Sequence, residues 1–140
     1  MKKYNTILLV DDDPISNFIN SAVLQRLGIA GELLIERNGL KAINSIIDLY
    51  MKNMSTPELI FLDINMPIMD GFEFLERFEK LPEEVTTKAK IIIVSNIFRK
   101  SDIEILNKKE LLYMAKPLES NMLKTILDKY DSSKQVEQAL

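Results

Sequence analysis

Acidic residues directly follow two apolar segments of this chain, and they are the first candidates for chemistry. Asp11, Asp12 and Asp13 follow the run ILLV, and Asp63 follows the run LIFL at 59–62. A carboxylate at the end of a buried strand loses much of its hydration, and such a cost is usually accepted where the charge has a function. Asp63 is therefore the leading candidate for a reactive carboxylate.

Other polar residues end apolar segments later in the chain: Ser95 follows the run IIIV, and Lys116 follows the segment 111–115. Three carboxylates about 5 Å apart repel by roughly 3 kcal/mol per pair at an effective dielectric near 20, so they require a cation. Mg2+ suits an all-oxygen ligand set with few carboxylates. With Lys116 beside it, such a site would neutralise an incoming phosphoryl group and allow Asp63 to attack phosphorus in line.

The segments between these residues alternate between strand and helix patterns. Strands are predicted at 6–10, 33–35, 59–62, 91–94 and 111–115, and five helices are predicted to begin near residues 14, 39, 71, 101 and 122. This alternation predicts an α/β fold, a doubly wound five-stranded parallel sheet with helices on both faces. Ligands of such sheets bind beyond the carboxyl ends of the strands, where the candidate residues would meet.

Several local patterns refine this prediction. The first helix is predicted to bury an apolar stripe and to end at Gly28, and the stripe consists of Ile15, Phe18, Ile19, Ala22, Val23 and Leu27. The strand at 33–35 has polar flanks, which favour a sheet edge. Ser101 and Glu104 resemble a capping box. The connection at 81–90 shows no apolar period.

Composition excludes several classes of function. The 140 residues include neither cysteine nor histidine, so a thiol nucleophile, a cysteine zinc site and an imidazole base are all excluded. A formal net charge of -3 argues against a nucleic-acid surface. The first apolar run meets Asp11 too early for a signal peptide or a membrane span, so a cytoplasmic protein without a membrane partner is expected.

In combination, the motifs LLVDDD, LIFLDINMPIMDG, IIIVSN and YMAKP resemble the receiver domains of two-component response regulators. The resemblance covers roughly residues 6–130 and implies the strand order 2-1-3-4-5. It implies a stand-alone receiver domain at 1–130 followed by a polar tail at 131–140. It also implies a function: the chain accepts a phosphoryl group from a partner histidine kinase or phosphotransfer protein and changes a protein-binding surface, without being an enzyme that turns over a substrate.

The same resemblance assigns the acidic residues. Asp63 would be the phosphoacceptor, and Asp12, with Asp11 and the backbone carbonyl of Asn65, would hold Mg2+. From the residues alone, Asp11 could bind the metal directly or could support the residues that do. Asp13 precedes a proline and is predicted to cap the first helix.

The resemblance also assigns the residues that respond to phosphorylation. Lys116 would contact the phosphoryl oxygens, Ser95 would hydrogen-bond them, and Tyr113 occupies the position of an aromatic switch. Two departures from the family pattern matter. Asn96 stands where the family usually has a small residue, which predicts restricted access, and Glu110-Leu111 replaces Gly-Ala before the last strand, which leaves that loop's geometry open.

Two other functions compete with this interpretation. The Asp11–Asp13 run also resembles haloacid-dehalogenase-like phosphatases, in which Asp11 would be the nucleophile and Asp13 the general acid. That function gives Asp63 no role and lacks a later acidic pair for the metal. The third possibility is an interaction module of receiver fold that is never phosphorylated.

Overall fold

A computed structural model describes the backbone of residues 3–139 and the side chains of residues 3–131. Five parallel strands form one sheet in the order β2-β1-β3-β4-β5, which confirms the predicted fold and strand order. The prediction that the second strand lies at an edge of the sheet is also confirmed. The strands are β1 Tyr4–Val10, β2 Ala30–Glu36, β3 Leu59–Leu62, β4 Lys90–Ser95 and β5 Leu112–Ala115.

The described residues form six helices rather than the five predicted. They are α1 Pro14–Leu27, α2 Gly39–Met51, α3 Gly71–Phe78, α4 Glu83–Thr86, α5 Lys100–Lys108 and α6 Ser120–Ala139. The additional helix α4 lies in the connection predicted to lack regular structure. Its one buried residue is Val85, which is 1% exposed. A single anchoring residue creates no period, so the sequence pattern gave no signal for this turn.

The helix caps are only partly as predicted. Asp13 caps α1 as predicted, and Asp70 caps α3 in the same way. Each accepts a hydrogen bond from a backbone N–H in the first turn of its helix. The predicted capping box of Ser101 and Glu104 is wrong, because the N-cap of α5 is Arg99, two residues before Ser101. There the Arg99 backbone N–H donates to the Asp102 carboxylate at 2.9 Å. The aspartate caps and the bond from Arg99 to Asp102 each satisfy a backbone N–H at the helix start that has no partner within the helix.

The core has two layers, one on each face of the sheet. Helices α1 and α6 cover one layer, and α2 to α5 cover the other. Because β3 is buried at every position, it supplies side chains to both layers. Burying one Leu, Ile or Phe side chain stabilises the fold by about 1.5–3 kcal/mol. The apolar strands therefore hold the carboxyl edge of the sheet, where the candidate residues lie, in a fixed arrangement.

The predicted buried stripe of α1 is wrong in the first half of the helix, although Val23 and Leu27 are partly buried and pack against the core as predicted. The helix buries Asn17, Asn20 and Leu24, whereas Ile15 and Phe18 are 70% and 78% exposed. Helical spacing predicts that residues share a face, but it does not determine which face meets the sheet. The buried asparagines are accommodated because each makes a hydrogen bond to backbone.

The loop before β5 keeps a sharp helix ending although its usual glycine is absent. Glu110 follows α5 with a φ of 56°, and its N–H donates to the Asn107 carbonyl. The next N–H, of Leu111, donates to the Leu106 carbonyl at 3.0 Å. This left-handed helix ending normally employs glycine, because a side chain there is sterically strained. The departure noted in the sequence therefore preserves the loop and adds strain to it.

The final helix continues into the segment predicted to be a polar tail. Its backbone is helical through Ala139, and Leu140 lies outside the described residues. The division into a domain at 1–130 and a tail at 131–140 stays a prediction. No helix in the described part of the chain has both the length and the apolar character needed to cross a membrane.

Candidate functional site

Three carboxylates converge at the carboxyl edge of the sheet. Val10 pairs with Leu62 in the register of β1 and β3, so the residues that follow these strands lie side by side. Each of Asp11, Asp12 and Asp63 has an oxygen within 4.8 Å of the other two. The convergence expected from strand order is therefore present in the structure.

The ammonium group of Lys116 lies between two of these acids. Its Nζ is 2.5 Å from Asp11 Oδ2 and 3.0 Å from Asp63 Oδ2. All three side chains are at most 8% exposed, so solvent screens the attraction only weakly. Lys116 directly follows β5, whose residue Ala115 pairs with Ser95 of β4. The ion pair thus links β1, β3 and β5 at one edge of the sheet.

Burial sets the ionisation of this group of side chains. Desolvation raises the pKa of Asp63 above its usual value, although Lys116 and the Ile64 N–H act to lower it. Desolvation also opposes the charge on Lys116, but its hydrogen bonds and charge interactions with Asp11 and Asp63 raise its pKa overall. Lys116 is therefore a permanent cation at neutral pH. Asp63 is a carboxylate whose ionised form benefits from an additional cation.

The acids fit a hard divalent cation. All three offer carboxylate oxygens, and their separation of up to 4.8 Å is close to the spacing of oxygens around one Mg2+ ion, about 3–4 Å for bonds of about 2.1 Å. Asp12 is only half-buried, so it can receive an ion from solvent. Asn65 lies in the exposed loop after β3 and borders the same pocket. Coordination by its backbone carbonyl stays a prediction.

A pocket of about 240 Å³ opens beside the acids. Its volume is below that of drug-sized ligand sites and suits a small polar group. Asn96 is exposed at its wall, and Ser95 is 2% exposed with its Oγ donating to the Ile97 carbonyl at 3.2 Å. The lining residues are Asp12, Asp13, Asp63, Asn65, Ser95, Asn96, Ile97 and Lys116.

Tyr113 lies outside the lining of this pocket. It is half-buried, and its ring centroid is 5.1 Å from that of Phe98. Phe98 follows the Ile97 carbonyl that accepts the Ser95 hydrogen bond. The structure therefore connects Ser95 to Tyr113 through one short segment, and a switching role for Tyr113 stays a prediction.

Asp13 borders the pocket but its carboxylate is engaged as a helix cap. It accepts hydrogen bonds from the Ile15 N–H at 3.0 Å and the Ser16 hydroxyl at 3.1 Å. The bond from Ile15 lowers the pKa of Asp13. A general acid must hold a proton near neutral pH, so this environment opposes the role that a phosphatase would require of Asp13.

Two residues outside the recognised motifs hold the acidic segment in place. Arg37 donates from its guanidinium to the Asp12 carbonyl at 3.0 Å, and Asn17 donates from Nδ2 to the Asp11 carbonyl at 2.9 Å. The sequence signal for Asn17 was a polar residue between apolar positions of α1. Arg37 gave no comparable signal, because an arginine after an edge strand is usually a solvated surface residue.

Gly71 allows the first turn of α3 to approach the backbone of Asp63 closely. Its N–H donates to the Ile64 carbonyl at 2.8 Å. A Cβ at this position would lie 2.5 Å from the Asp63 carbonyl oxygen and 2.9 Å from Ile64 Cα. Because both neighbours are backbone, the close approach requires glycine.

Comparison with known proteins gives a consistent result. The sequence matches the family described as the response regulator receiver domain over residues 7–128. It is 28% identical to response regulator Rcp1 of Synechocystis, covering 86% of this chain and 90% of that protein. A crystal structure of a two-component response regulator from Cytophaga hutchinsonii matches with a TM-score of 0.82 and 28% identity, covering 91% of this chain and 97% of that one.

Other relatives are longer than this chain. An uncharacterised response regulatory protein of Vibrio cholerae is 27% identical over 92% of this chain, which spans 46% of that protein. This chain spans 7% of hybrid signal transduction histidine kinase L of Dictyostelium discoideum, at 25% identity. A crystal structure described as the Mn2+-bound form of Rcp1 matches with a TM-score of 0.68 and 25% identity, covering 91% of this chain and 92% of that one.

Proposed function

This chain belongs to the response regulator receiver family, and we propose from that premise that it accepts a phosphoryl group on Asp63 from a phosphohistidine of a partner kinase or phosphotransfer protein. The supporting observation is the environment of this carboxylate. Asp63 is 7% exposed, lies within 4.8 Å of Asp11 and Asp12, and bonds Lys116 beside a small pocket. A cytoplasmic location remains part of the prediction.

The proposed step transfers the phosphoryl group between two protein side chains. An oxygen of Asp63 forms a bond to phosphorus while the phosphorus–nitrogen bond of the donor breaks. The released electron pair stays on the imidazole nitrogen, which takes up a proton from solvent. Asp63 is held for this attack by the Ile64 N–H at 2.8 Å and by Lys116 at 3.0 Å. Lys116 is also the cation that can contact the transferred oxygens.

Mg2+ is the cofactor that fits this proposal. Asp11, Asp12 and Asp63 would hold the ion, together with the Asn65 carbonyl. When bound, it would neutralise charge on the phosphoryl oxygens. The Mn2+-bound form of the relative Rcp1 supports a divalent ion in this fold. Whether Asp11 is a direct ligand or acts through Lys116, to which it is bonded at 2.5 Å, is decided by metal titration of an Asp11→Asn variant.

The proposed output is a change of the surface formed by α5, β5 and α6. Phosphorylation adds about one unit of negative charge at Asp63. If Ser95 turns its hydroxyl toward that charge, it releases the Ile97 carbonyl, which it now bonds at 3.2 Å. The neighbouring Phe98 ring packs on Tyr113 of β5, so the change would reach that surface. A protein that binds this surface would be the downstream partner.

Intact mass after incubation with acetyl phosphate tests the central claim. We expect one added phosphoryl group on the wild type with Mg2+, little without Mg2+, and none on Asp63→Asn. Asp13→Asn is the matched control, because asparagine also caps helices and this acid lies at the rim of the same pocket. Labelling that persists in Asp63→Asn would refute the assignment.

A second phosphodonor and an aryl phosphate substrate separate the proposed function from its alternatives. Monophosphoimidazole, which carries the phosphorus–nitrogen bond of phosphohistidine, should label Asp63 as acetyl phosphate does. Repeated turnover of an aryl phosphate that depends on Asp11 would instead support a phosphatase, which the family match does not favour. Mg2+ binding without labelling by either donor would support an interaction module.

A further inference from the structure

The first half of helix α1 presents polar side chains to the core and apolar ones to solvent, whereas Leu24 further along the helix is buried. Asn17 and Asn20 are 5% and 4% exposed, whereas Phe18 between them is 78% exposed. Burying an amide costs free energy unless its hydrogen bonds are replaced, and even then it gains less than an apolar side chain of similar size. Stability of the helix does not account for two asparagines at these positions.

Each asparagine bonds a backbone segment that carries a charged residue of the site. Asn17 donates from Nδ2 to the Asp11 carbonyl at 2.9 Å. Asn20 accepts at Oδ1 from the Leu118 N–H at 3.0 Å, two residues after Lys116. Both bonds are buried, and one joins residues that are 98 positions apart in the chain. One helix face is thus connected to the acidic end of β1 and to the segment after β5.

The two asparagines also lie close to Asp11 and Asp63, on the side that faces the core. Together with Asp11 and Asp63 they line a cavity of about 10 Å³. The Oδ1 atom of Asn17 is buried and has no hydrogen-bond partner among the described residues. An unpaired buried acceptor adds a further cost to the fold. That cost makes a purely structural role for Asn17 a poor explanation of its presence.

From these contacts we propose that Asn17 and Asn20 are positioning residues for phosphoryl transfer, a role that rests on the proposed function. Asn17 fixes the segment that carries Asp11 and Asp12, and Asn20 fixes the segment that carries Lys116. The helix between them sets the separation of the acids from the ammonium group. Neither asparagine touches the transferred group.

The two positions predict different defects, which a general loss of stability would not produce. Asn17→Leu displaces the acidic segment, so we expect Mg2+ binding to weaken about tenfold, the lower end of the effect of residues that orient metal ligands. Asn20→Leu displaces Lys116, so we expect the phosphorylation rate at saturating Mg2+ and acetyl phosphate to fall about tenfold, with Mg2+ affinity kept within about twofold. Isothermal titration and time-resolved intact mass measure the two quantities.

Leu24→Ala is the matched control. Leu24 is the third buried residue of α1, is fully buried, and packs in the apolar layer without a bond to the site. We expect it to lower the melting temperature while Mg2+ affinity and the saturated rate stay at wild-type values. Asn17→Ala and Asn20→Ala repeat the measurement without added bulk, so a leucine variant that fails to fold does not end the test.

The outcomes distinguish this proposal from the proposed function. If the wild type binds Mg2+ and is phosphorylated but the asparagine variants behave as Leu24→Ala does, the positioning roles are wrong and the proposed function stands. Equal losses of affinity and rate in both variants would also overturn the separate roles. If the wild type neither binds Mg2+ nor is labelled, the proposed function itself fails.

Discussion

Removing the charge of Asp12 should stabilise the metal-free protein. The oxygens of Asp12, Asp11 and Asp63 lie within 4.8 Å of one another, which corresponds to a repulsion of about 3.5 kcal/mol per pair at an effective dielectric of 20. Lys116 offsets much of this, because it bonds Asp11 and Asp63 directly. Since Asp12 is also half-buried and partly screened, we expect a net gain of about 1–2 kcal/mol for Asp12→Asn.

The sign of this effect should reverse when the metal binds. At about one hundred times its dissociation constant, Mg2+ should stabilise the wild type by about 2.7 kcal/mol, and Asp12→Asn should lose most of that gain. Thermal unfolding followed by circular dichroism, in EDTA and then in a Mg2+ series, measures both states. In EDTA the variant should melt about 3–8 °C above the wild type, and in saturating Mg2+ it should melt below it.

Glu32→Gln is the control for a change in net charge alone. Glu32 is an exposed acid of the edge strand β2, so its neutralisation should leave the melting temperature almost unchanged in either buffer. A metal-free Asp12→Asn that melts at or below the wild type would refute the repulsion argument. A variant that keeps the full Mg2+ shift would show that Asp12 does not hold the ion.

Three further predictions concern Asp63, the loop before β5 and the first turn of α3. Burial raises the pKa of Asp63, so the ionised form of this side chain destabilises the metal-free fold. Asp63→Asn should therefore melt above the wild type at neutral pH. The difference in melting temperature should vanish as the pH falls below 3.8, the ordinary pKa of the group, because the carboxyl group is then protonated in both the folded and the unfolded protein. Glu110→Gly should raise the free energy of unfolding by about 1 kcal/mol in urea, because it relieves a φ of 56°, and Glu110→Ala should not. Gly71→Ala should cost about 1–3 kcal/mol and slow labelling by acetyl phosphate, because the new Cβ would lie 2.5 Å from the Asp63 carbonyl oxygen; unchanged labelling would contradict that contact.

The sequence predicted the sheet and the acids at its edge because both depend on local signals. β3 and β4 are uninterrupted apolar runs that end at polar residues, and parallel topology brings all such ends to one edge. Asp63 was therefore recognisable from its position alone. The bond from Lys116 to Asp63 depends on the register between β4 and β5, which no local sequence pattern specifies. The strand order predicted only that the two residues lie at the same edge of the sheet.

One prediction that failed concerns which side of α1 meets the core. In α1 the apolar residues Ile15 and Phe18 were assigned to the buried face, but the buried face carries Asn17 and Asn20. Periodicity weighs only the gain from burying apolar area, and it carries no information about the tertiary hydrogen bonds that Asn17 and Asn20 make to backbone. The turn at α4 failed for another reason, since four residues are too few to show a period.

The charges of the site favour both proposed roles of the cluster, metal binding and a response to phosphorylation. Asp11, Asp12 and Asp63 contribute three negative charges, and Lys116 returns one positive charge, which leaves a charge of -2. One divalent cation neutralises that remainder. Phosphorylation of Asp63, as proposed, would then add about one negative charge in a site that solvent screens weakly. The Ser95 hydroxyl lines the same pocket and now donates to the Ile97 carbonyl at 3.2 Å, a bond that it would exchange for one to the phosphoryl group. The proposed response therefore requires little reorganisation, because Ser95 exchanges one hydrogen bond while Lys116 already lies beside Asp63.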